Sequence, residues 1–344
     1  MAADQSTPVT KAESVVVVDP ARQMMSNSPM MSDDMMMGSS VLATANPGDL
    51  ANDMLFGLTP NLAASSAAFG GFSGITSLES VKYGADGTAY FTADAANGTG
   101  AILVVDNLMA SNAMIGNGSR MIAGPSTGLM APKGLYVVDD LGLILVADFG
   151  AKDIKVFSTD AVGNAAPLFT VTNLGGERSV WDIHHDLASD TLYAAGTDGV
   201  ALVYNKFSTN QGMAGPSRMI TPVDEMGGRL SVNLHGIYYV PGVDTLLLSD
   251  VGDAASASDG QLFAIAGITA AADMAAVDLR IAGSNSQLGN PVDIDFDGTN
   301  LYVAEKSNDM VLRYDNILSR TGDENSPADY TTAVTKAESV SILP

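Results

Sequence analysis

The chain has 344 residues, of which 46% are hydrophobic, so it can bury a large core. Asp and Glu outnumber Lys and Arg by 39 to 16. The resulting net charge of −23 excludes nucleic-acid binding and disfavours anionic membranes, because phosphate neutralisation needs clustered basic side chains, whereas metal cations and basic partners remain favoured. Cysteine is absent, which excludes disulfides, thiolate metal sites and cysteine nucleophiles.

The composition indicates a protein outside the cytosol. Low Lys content and an acidic balance favour a secreted, cell-surface or periplasmic location. No N-terminal stretch has a basic segment followed by an apolar run, so we expect any signal peptide to have been removed. No segment reaches the roughly 18 apolar residues of a membrane helix, and no membrane span is predicted.

Residues 1–65 are predicted to form an N-terminal arm that precedes a repeated part, residues 66–344. Within the arm, residues 24–38 hold seven methionines: Met24, Met25, Met30, Met31, Met35, Met36 and Met37. Clustered thioethers are soft ligands that suit Cu(I), and Asp33 and Asp34 would add charge. Methionine also packs adaptably at protein contacts. A linker or packing role is therefore the interpretation we favour over a copper site.

A pattern of alternating apolar residues and tight turns recurs five times after the arm, and its best copy spans residues 290–316. The copies align on apolar marker positions spaced by 54, 48, 54 and 57 residues, namely Val81, Leu135, Ile183, Ile237 and Ile294. A period near fifty residues indicates one supersecondary unit per repeat and is close to the length of a kelch-like propeller blade.

Each copy predicts four antiparallel strands. In the best copy the first strand alternates through Val292, Ile294 and Phe296, and the turn at Asp297 and Gly298 reverses the chain into a second strand. A third strand follows, and the fourth strands are expected at residues 119–123, 168–172, 217–221, 278–282 and 330–335. Four antiparallel strands per unit make up a propeller blade, so the predicted fold class is an all-β propeller.

The best copy also resembles a known family. Pro291, Asp293 and Ile294, followed by the run LYVAE at residues 301–305, are similar to the NHL and YVTN type of propeller, related in shape to gluconolactonase-like six-bladed enzymes. The resemblance covers residues 75–344 and implies about six four-stranded blades. Val340 would mark the sixth blade, whose other strands would come from residues 40–45 and 53–58. The N- and C-terminal strands would then share the closing blade.

One heptapeptide, VTKAESV, occurs at residues 9–15 and again at residues 334–340. If the closing blade has one inner place for it, the second copy could fill that place in a neighbouring molecule and build filaments. The alternative, which we favour, is that both copies lie side by side in one closing blade. The residues involved are Val9, Lys11, Glu13, Val15, Val334, Lys336, Glu338 and Val340.

Acidic residues next to the markers predict a ligand site at one mouth of the central channel. Ca²⁺ is the candidate cofactor for this site, because it takes six to eight oxygen ligands. The carboxylates that could gather around it are those of Glu79, Asp182, Asp293 and Glu338. The gluconolactonase-like resemblance implies that such a metal would polarise a lactone or ester carbonyl, with Asp182, Asp293 and His235 as catalytic candidates. Two of the six equivalent positions are Gly and two are Ser, which disfavours hydrolysis.

Other candidate residues have structural interpretations. Asp94, Asp148, Asp250 and Glu305 follow second strands and are expected to accept backbone N–H bonds. The three histidines are expected at the surface, and Trp181 either stacks on a ring ligand or plugs the channel. The predicted function is a non-enzymatic extracellular scaffold with protein or glycan ligands, and self-association through its terminal strands is one of the two interpretations of the heptapeptide. The rival is a Ca-dependent lactonase or esterase.

Overall fold

The structure is a computed structural model that describes residues 41–45, 56–63, 74–106 and 119–342. The described residues form 25 strands, one α-helical turn at Phe207–Asn210 and four short 3-10 turns, and contain no helix long and apolar enough to cross a membrane. The predicted all-β class is therefore confirmed for these residues. Residues 9–15, the methionine segment and residues 66–73 lie outside the described part.

Most strands belong to five blades, which follow one another along the chain. The arm contributes β1 (Val41–Ala45) and β2 (Phe56–Leu58). The first blade is β3 (Ile75–Tyr83), β4 (Ala89–Ala95), β5 (Gly100–Val105) and β6 (Ser119–Ala123). The second is β7 (Pro132–Val138), β8 (Leu143–Asp148), β9 (Asp153–Ser158) and β10 (Phe169–Val171). The third begins with β11 (Val180–Asp186), β12 (Thr191–Gly196), β13 (Val200–Asn205) and β14 (Arg218–Val223).

The fourth and fifth blades complete the series. Their region contains β15 (Leu234–Val240), β16 (Thr245–Asp250), β17 (Gln261–Ala266), β18 (Met274–Ala276), β19 (Leu279–Ala282), β20 (Pro291–Phe296), β21 (Leu301–Glu305), β22 (Met310–Tyr314), β23 (Gly322–Glu324), β24 (Tyr330–Ala333) and β25 (Ala337–Ile342). The fourth blade is β15, β16, β17 and β19, and the fifth is β20, β21, β22 and β24. Two short parallel strands extend the outer edges, β18 beside β14 and β23 beside β19.

Six inner strands surround the channel. Contacts run in a closed cycle from β3 through β7, β11, β15, β20 and β25 and back to β3. All five markers, with Val340 in β25, lie on these strands, and each is at most 2% exposed. The repeat spacing therefore identified the inner strands correctly. The predicted fourth strands also form, with bounds shifted by at most two residues.

The predicted blade count was wrong. The described residues form five four-stranded blades rather than six, because the sixth inner strand, β25, pairs only with β1. The pairing is antiparallel, with Ala43 opposite Val340. This two-stranded sheet lies between the fifth blade and the first, where β25 contacts both β20 and β3.

The hydrophobic core lies between neighbouring blades. Five clusters of buried side chains each join two blades, and the cluster between the fifth and first blades includes Val81, Tyr302 and Val340. Leu58 and Leu62 of the arm are buried in the same cluster. Burial of an aliphatic side chain contributes roughly 1.5–3 kcal/mol. Residues 56–63 thus stabilise the ring at the place where a full blade is missing.

Candidate functional site

The channel is lined by three layers of side chains, because alternate residues of each inner strand point to the same side. Just before its marker position, each inner strand shifts its pairing register with the neighbouring strand. Such a shift changes the direction in which the preceding side chains point. We call the end with Glu79, Lys133, Trp181, His235 and Glu338 the Trp mouth. The opposite end, next to the first hairpin turns, is the Tyr mouth, with Lys82, Tyr136, Tyr238, Asp295 and Phe296.

At the Trp mouth the Glu79 and Glu338 carboxylates form ion pairs with lysines. The Lys133 ammonium lies 2.7 Å from Glu79 Oε2, and the Lys306 ammonium pairs with Glu338. Burial alone would raise the pKa of Glu79, but Lys133 and the Ser77 hydroxyl outweigh it and lower that pKa. For Glu338 burial prevails over Lys306 and raises the pKa to about 7.

Trp181 and His235 fill the centre of the Trp mouth. Their rings stack with centroids 3.8 Å apart and planes inclined by 12°, and the Lys133 ammonium lies 5.4 Å from the Trp181 centroid. The edge of Phe149 packs against Trp181 at 5.5 Å. Trp181 therefore plugs the channel in this structure. Burial, with Lys306 and Lys133 nearby, holds the pKa of His235 well below its usual value, so the ring is neutral.

The middle layer brings Asp182 and Asp293 together. Asp293 Oδ2 accepts bonds from the Ser339 hydroxyl and the Val340 amide, and the Lys82 ammonium lies 3.6 Å away. Asp182 Oδ2 accepts a long bond from the Ile237 amide, whereas Oδ1 is buried without a hydrogen-bond partner among the described residues. Burial and the neighbouring charge of Asp293 raise the pKa of Asp182 well above its usual value.

Gly134 makes this arrangement possible. A Cβ atom at this position would lie 2.6 Å from the Asp182 Cα atom, closer than real Cβ contacts. The absence of a side chain at Gly134 therefore lets β7 and β11 approach each other at the middle layer. The glycines that counted against a cation site in the sequence thus have a packing role.

The four carboxylates predicted to bind Ca²⁺ do line one cavity. Glu79, Asp182, Asp293 and Glu338 surround about 10 Å³ together with Trp181. This is room for about one water molecule. Within the described residues, no group of three or more His, Asp and Glu side chains is placed to hold a metal ion. The methionines proposed for Cu(I) lie outside those residues.

All three histidines are buried, which corrects the expectation that they are surface residues. His185 Nε2 lies 3.2 Å from Asp190 Oδ1, and His184 packs between Tyr136 and Tyr238. Burial lowers the pKa of His184 to about 3 and also lowers the pKa of His185. The sequence suggested exposure because His185 lies near a turn, but β11, which holds His184 and His185, is buried on both faces, and His235 lies on the buried start of β15.

The Tyr mouth contains a larger pocket that the sequence did not predict. Its volume is about 260 Å³, and five of the six inner strands line it. The lining includes Lys82, Tyr136, Tyr238, Asp295 and Phe296. A signal was present in the sequence, because the residue after each marker is polar or aromatic at all six strands.

The acids that follow the second strands have the predicted structural role in three blades. Asp148 accepts the amides of Met130, Ala131 and Ala151, and Asp250 accepts those of Val232, Asn233 and Gly252. Glu305 accepts four amides in the same manner. Asp94 differs, because it accepts the Ser77 hydroxyl and lies 3.9 Å from the Lys133 ammonium.

No protein-family model and no curated protein sequence matches the chain. Solved structures do share its architecture. The nidogen/laminin complex structure matches with TM-score 0.57 and 14% identity over 89% of this chain and 99% of that chain. Hydrazine synthase of Kuenenia stuttgartiensis matches with TM-score 0.56 and 14% identity over 100% and 94% of the two chains.

The WD40 β-propeller domain of Doa1 is a third match, with TM-score 0.55 and 12% identity over 88% of this chain and 82% of that domain chain. What the three share with this chain is the fold. The chain is a β-propeller. At these identities the likeness does not extend to residues of the channel, so the chemistry of both mouths rests on the geometry above.

Proposed function

We propose that this propeller is a non-enzymatic extracellular scaffold that binds protein partners and self-associates through its terminal strands. The observation that carries the proposal is the filled Trp mouth, where lysines pair with Glu79 and Glu338 and the Trp181–His235 stack closes the channel. A cavity of about 10 Å³ leaves no space there for a lactone or ester. The similar chain was solved as part of a nidogen/laminin complex, which agrees with a propeller used for protein binding.

Self-association is proposed from the second heptapeptide copy. Ser339 bonds to Asp293 and to the Val81 amide, so β25 bridges the fifth and first blades. Val334 and Val340 are buried, Glu338 pairs with Lys306, and Lys336 lies 3.6 Å from Asp309. Residues 9–15 have the same sequence and can therefore make the same contacts. We propose that β1 and β25 close the ring in an isolated molecule, and that in a polymer residues 9–15 of one molecule take the place of residues 334–340 in a neighbour.

The test is the mass distribution of the full chain by light scattering and electron microscopy. Two variants serve for comparison, one lacking residues 1–19 and one with residues 9–15 in scrambled order and all else unchanged. We expect polymers in the full chain and none in either variant. Polymers that survive scrambling would disprove the strand-exchange role, and a monomer in all three samples would support both copies lying in one sheet.

One observation favours the hydrolase as a second candidate. Asp182 is a buried acid with a raised pKa and an unpartnered oxygen, placed beside Asp293, and such acids are enriched at functional sites. In this alternative Glu79, Asp182, Asp293 and Glu338 would hold Ca²⁺, and neutral His235 would act as base. The test is Ca²⁺ titration by calorimetry with lactone and ester hydrolysis assays. Ca²⁺ binding and turnover that are both abolished by Asp182→Asn would support this alternative. The absence of both Ca²⁺ binding and turnover in the intact protein would refute it.

A further inference from the structure

The Tyr mouth pocket is an aromatic enclosure rather than a flat platform. The ring of Tyr238 is inclined by 65° to that of Phe296, with centroids 5.7 Å apart. His184 lies beneath, inclined by 60° to Tyr136 at 4.7 Å and by 50° to Tyr238 at 4.4 Å. Rings inclined in this way form walls that face one volume. A flat sugar ring needs a parallel exposed face, whereas inclined rings suit a compact group.

The charges around the pocket favour a cation. Its lining contains three carboxylates, Asp139, Asp295 and Asp297, and one ammonium, that of Lys82. The Lys82 ammonium donates to the Val340 carbonyl at 3.2 Å and lies 3.6 Å from Asp293, which is outside the lining. The buried Asp293 and Asp295 carboxylates both offset the charge of this ammonium, so the uncompensated carboxylates of the lining are those of Asp139 and Asp297. The surplus of negative charge at the Tyr mouth agrees in sign with the whole chain, at −23.

The size of the pocket suits a small ligand. Tyr83 belongs to its lining, but the Tyr83 side chain packs against the core cluster between the fifth and first blades and its hydroxyl is buried, so this hydroxyl is not offered to a ligand. The volume of about 260 Å³ lies just below the roughly 300–1,000 Å³ of drug-sized pockets, so a small ligand fits best.

We propose that the Tyr mouth pocket binds an alkylated ammonium group. Aromatic faces attract such cations through the ring quadrupole, and aromatic enclosures are the usual recognition site for quaternary ammonium groups. The rings of Tyr136, Tyr238 and Phe296 supply the walls, and Asp139 and Asp297 supply the charge at the rim. This site lies at the opposite end of the channel from the Trp mouth and does not depend on self-association.

The test is binding of tetramethylammonium and choline to the full chain by calorimetry and ligand-observed NMR. The neutral isostere 3,3-dimethylbutan-1-ol has the same shape without the charge, and we expect it to bind at least about tenfold more weakly. A short peptide bearing trimethyllysine distinguishes the source of the group. Tighter binding of the peptide assigns the pocket to a partner's side chain, and tighter binding of choline assigns it to a free small molecule.

Variants locate the binding. Tyr238→Leu removes a wall and should weaken choline binding at least about tenfold, whereas Tyr238→Phe keeps the ring and should bind within about twofold. Tyr330→Leu is the matched control, because Tyr330 lies on the outer strand β24 and stacks on Arg313. Emission of the single tryptophan, Trp181, reports whether each variant is folded.

Three results would overturn the proposal. The first is no binding of any of the three ammonium probes at about 10 mM. The second is equal affinity for choline and the neutral isostere, which would show that charge is not recognised. The third is unchanged choline binding by folded Tyr238→Leu. Because all these measurements read ligand binding, the absence of polymers in the scattering experiment would leave their outcome unaffected.

Discussion

Replacing Glu338 with Gln should remove a large part of the dependence of stability on pH. Glu338 is 3% exposed, and burial raises its pKa from 4.5 to about 7 in the folded protein. Between these values the folded state holds a proton that the unfolded state has lost, so the free energy of unfolding falls as pH rises. At 1.36 kcal/mol per pKa unit, the loss is about 3 kcal/mol.

Gln mimics the protonated acid at every pH. The variant should match the intact protein below about pH 4.5 and be more stable by up to about 3 kcal/mol above about pH 7. Lys306 loses its partner, but its side chain is 31% exposed and can be hydrated. The assay is urea unfolding across this pH range, followed by Trp181 emission.

Glu79→Gln is the matched control at the same mouth. Its pKa is lowered, because Lys133 and Ser77 outweigh burial, so its charge stabilises the fold above its unfolded pKa. Glu79→Gln should therefore destabilise the protein at neutral pH, opposite in sign to Glu338→Gln. Parallel pH curves for the intact protein and Glu338→Gln, or a Glu338→Gln variant that is less stable at about pH 8, would refute the reasoning.

Three further predictions concern packing. Gly134→Ala should lower the free energy of unfolding in urea by about 1–3 kcal/mol, because the new methyl group meets the Asp182 backbone. Gly242→Ala is the control, since open space surrounds Gly242, and it should change that free energy by less than about 0.5 kcal/mol. Equal effects of the two substitutions would contradict this reasoning. Asp148→Ala should cost about 3 kcal/mol or more by the same assay, because three amides and the Lys155 ammonium lose an acceptor, and a loss below about 1 kcal/mol would disprove that role. Trp181→Ala should admit water to His235 and raise its pKa toward 6.5 in an NMR titration; an unchanged pKa would show that Lys306 and Lys133, not burial, depress it.

The fold could be predicted from the sequence because each inner strand repeats the same local pattern. An apolar marker such as Ile294, followed by a turn at Asp297, specifies a hairpin through contacts only a few residues apart. The amide-accepting acids, such as Asp250, could be interpreted for the same reason. The sequence could not show that β25 lacks the outer strands of a full blade. The marker at Val340 indicates an inner strand and carries no information about the strands beside it.

The candidate sites were predictable only in part. The sequence placed Glu79, Asp182, Asp293 and Glu338 together because each lies one or two residues before a marker, and they do line one cavity. Their neutralisation was missed, because Lys306 comes from a loop after β21 and reaches Glu338 only in the folded ring. The Tyr mouth was missed since residues such as Tyr136 and Tyr238 are 102 positions apart and converge only through the ring geometry.

The pairing of β1 with β25 sets the order in which this chain can fold. Val41 and Ile342 are opposite each other although 301 positions separate them. Closing a loop of that length costs about 5 kcal/mol of chain entropy, against about 2 kcal/mol for a loop of ten residues. The blade hairpins therefore form before the ring is joined, and long-range pairing of this kind slows folding. Amides of β1 and β25 should accordingly be protected last in a refolding hydrogen-exchange experiment.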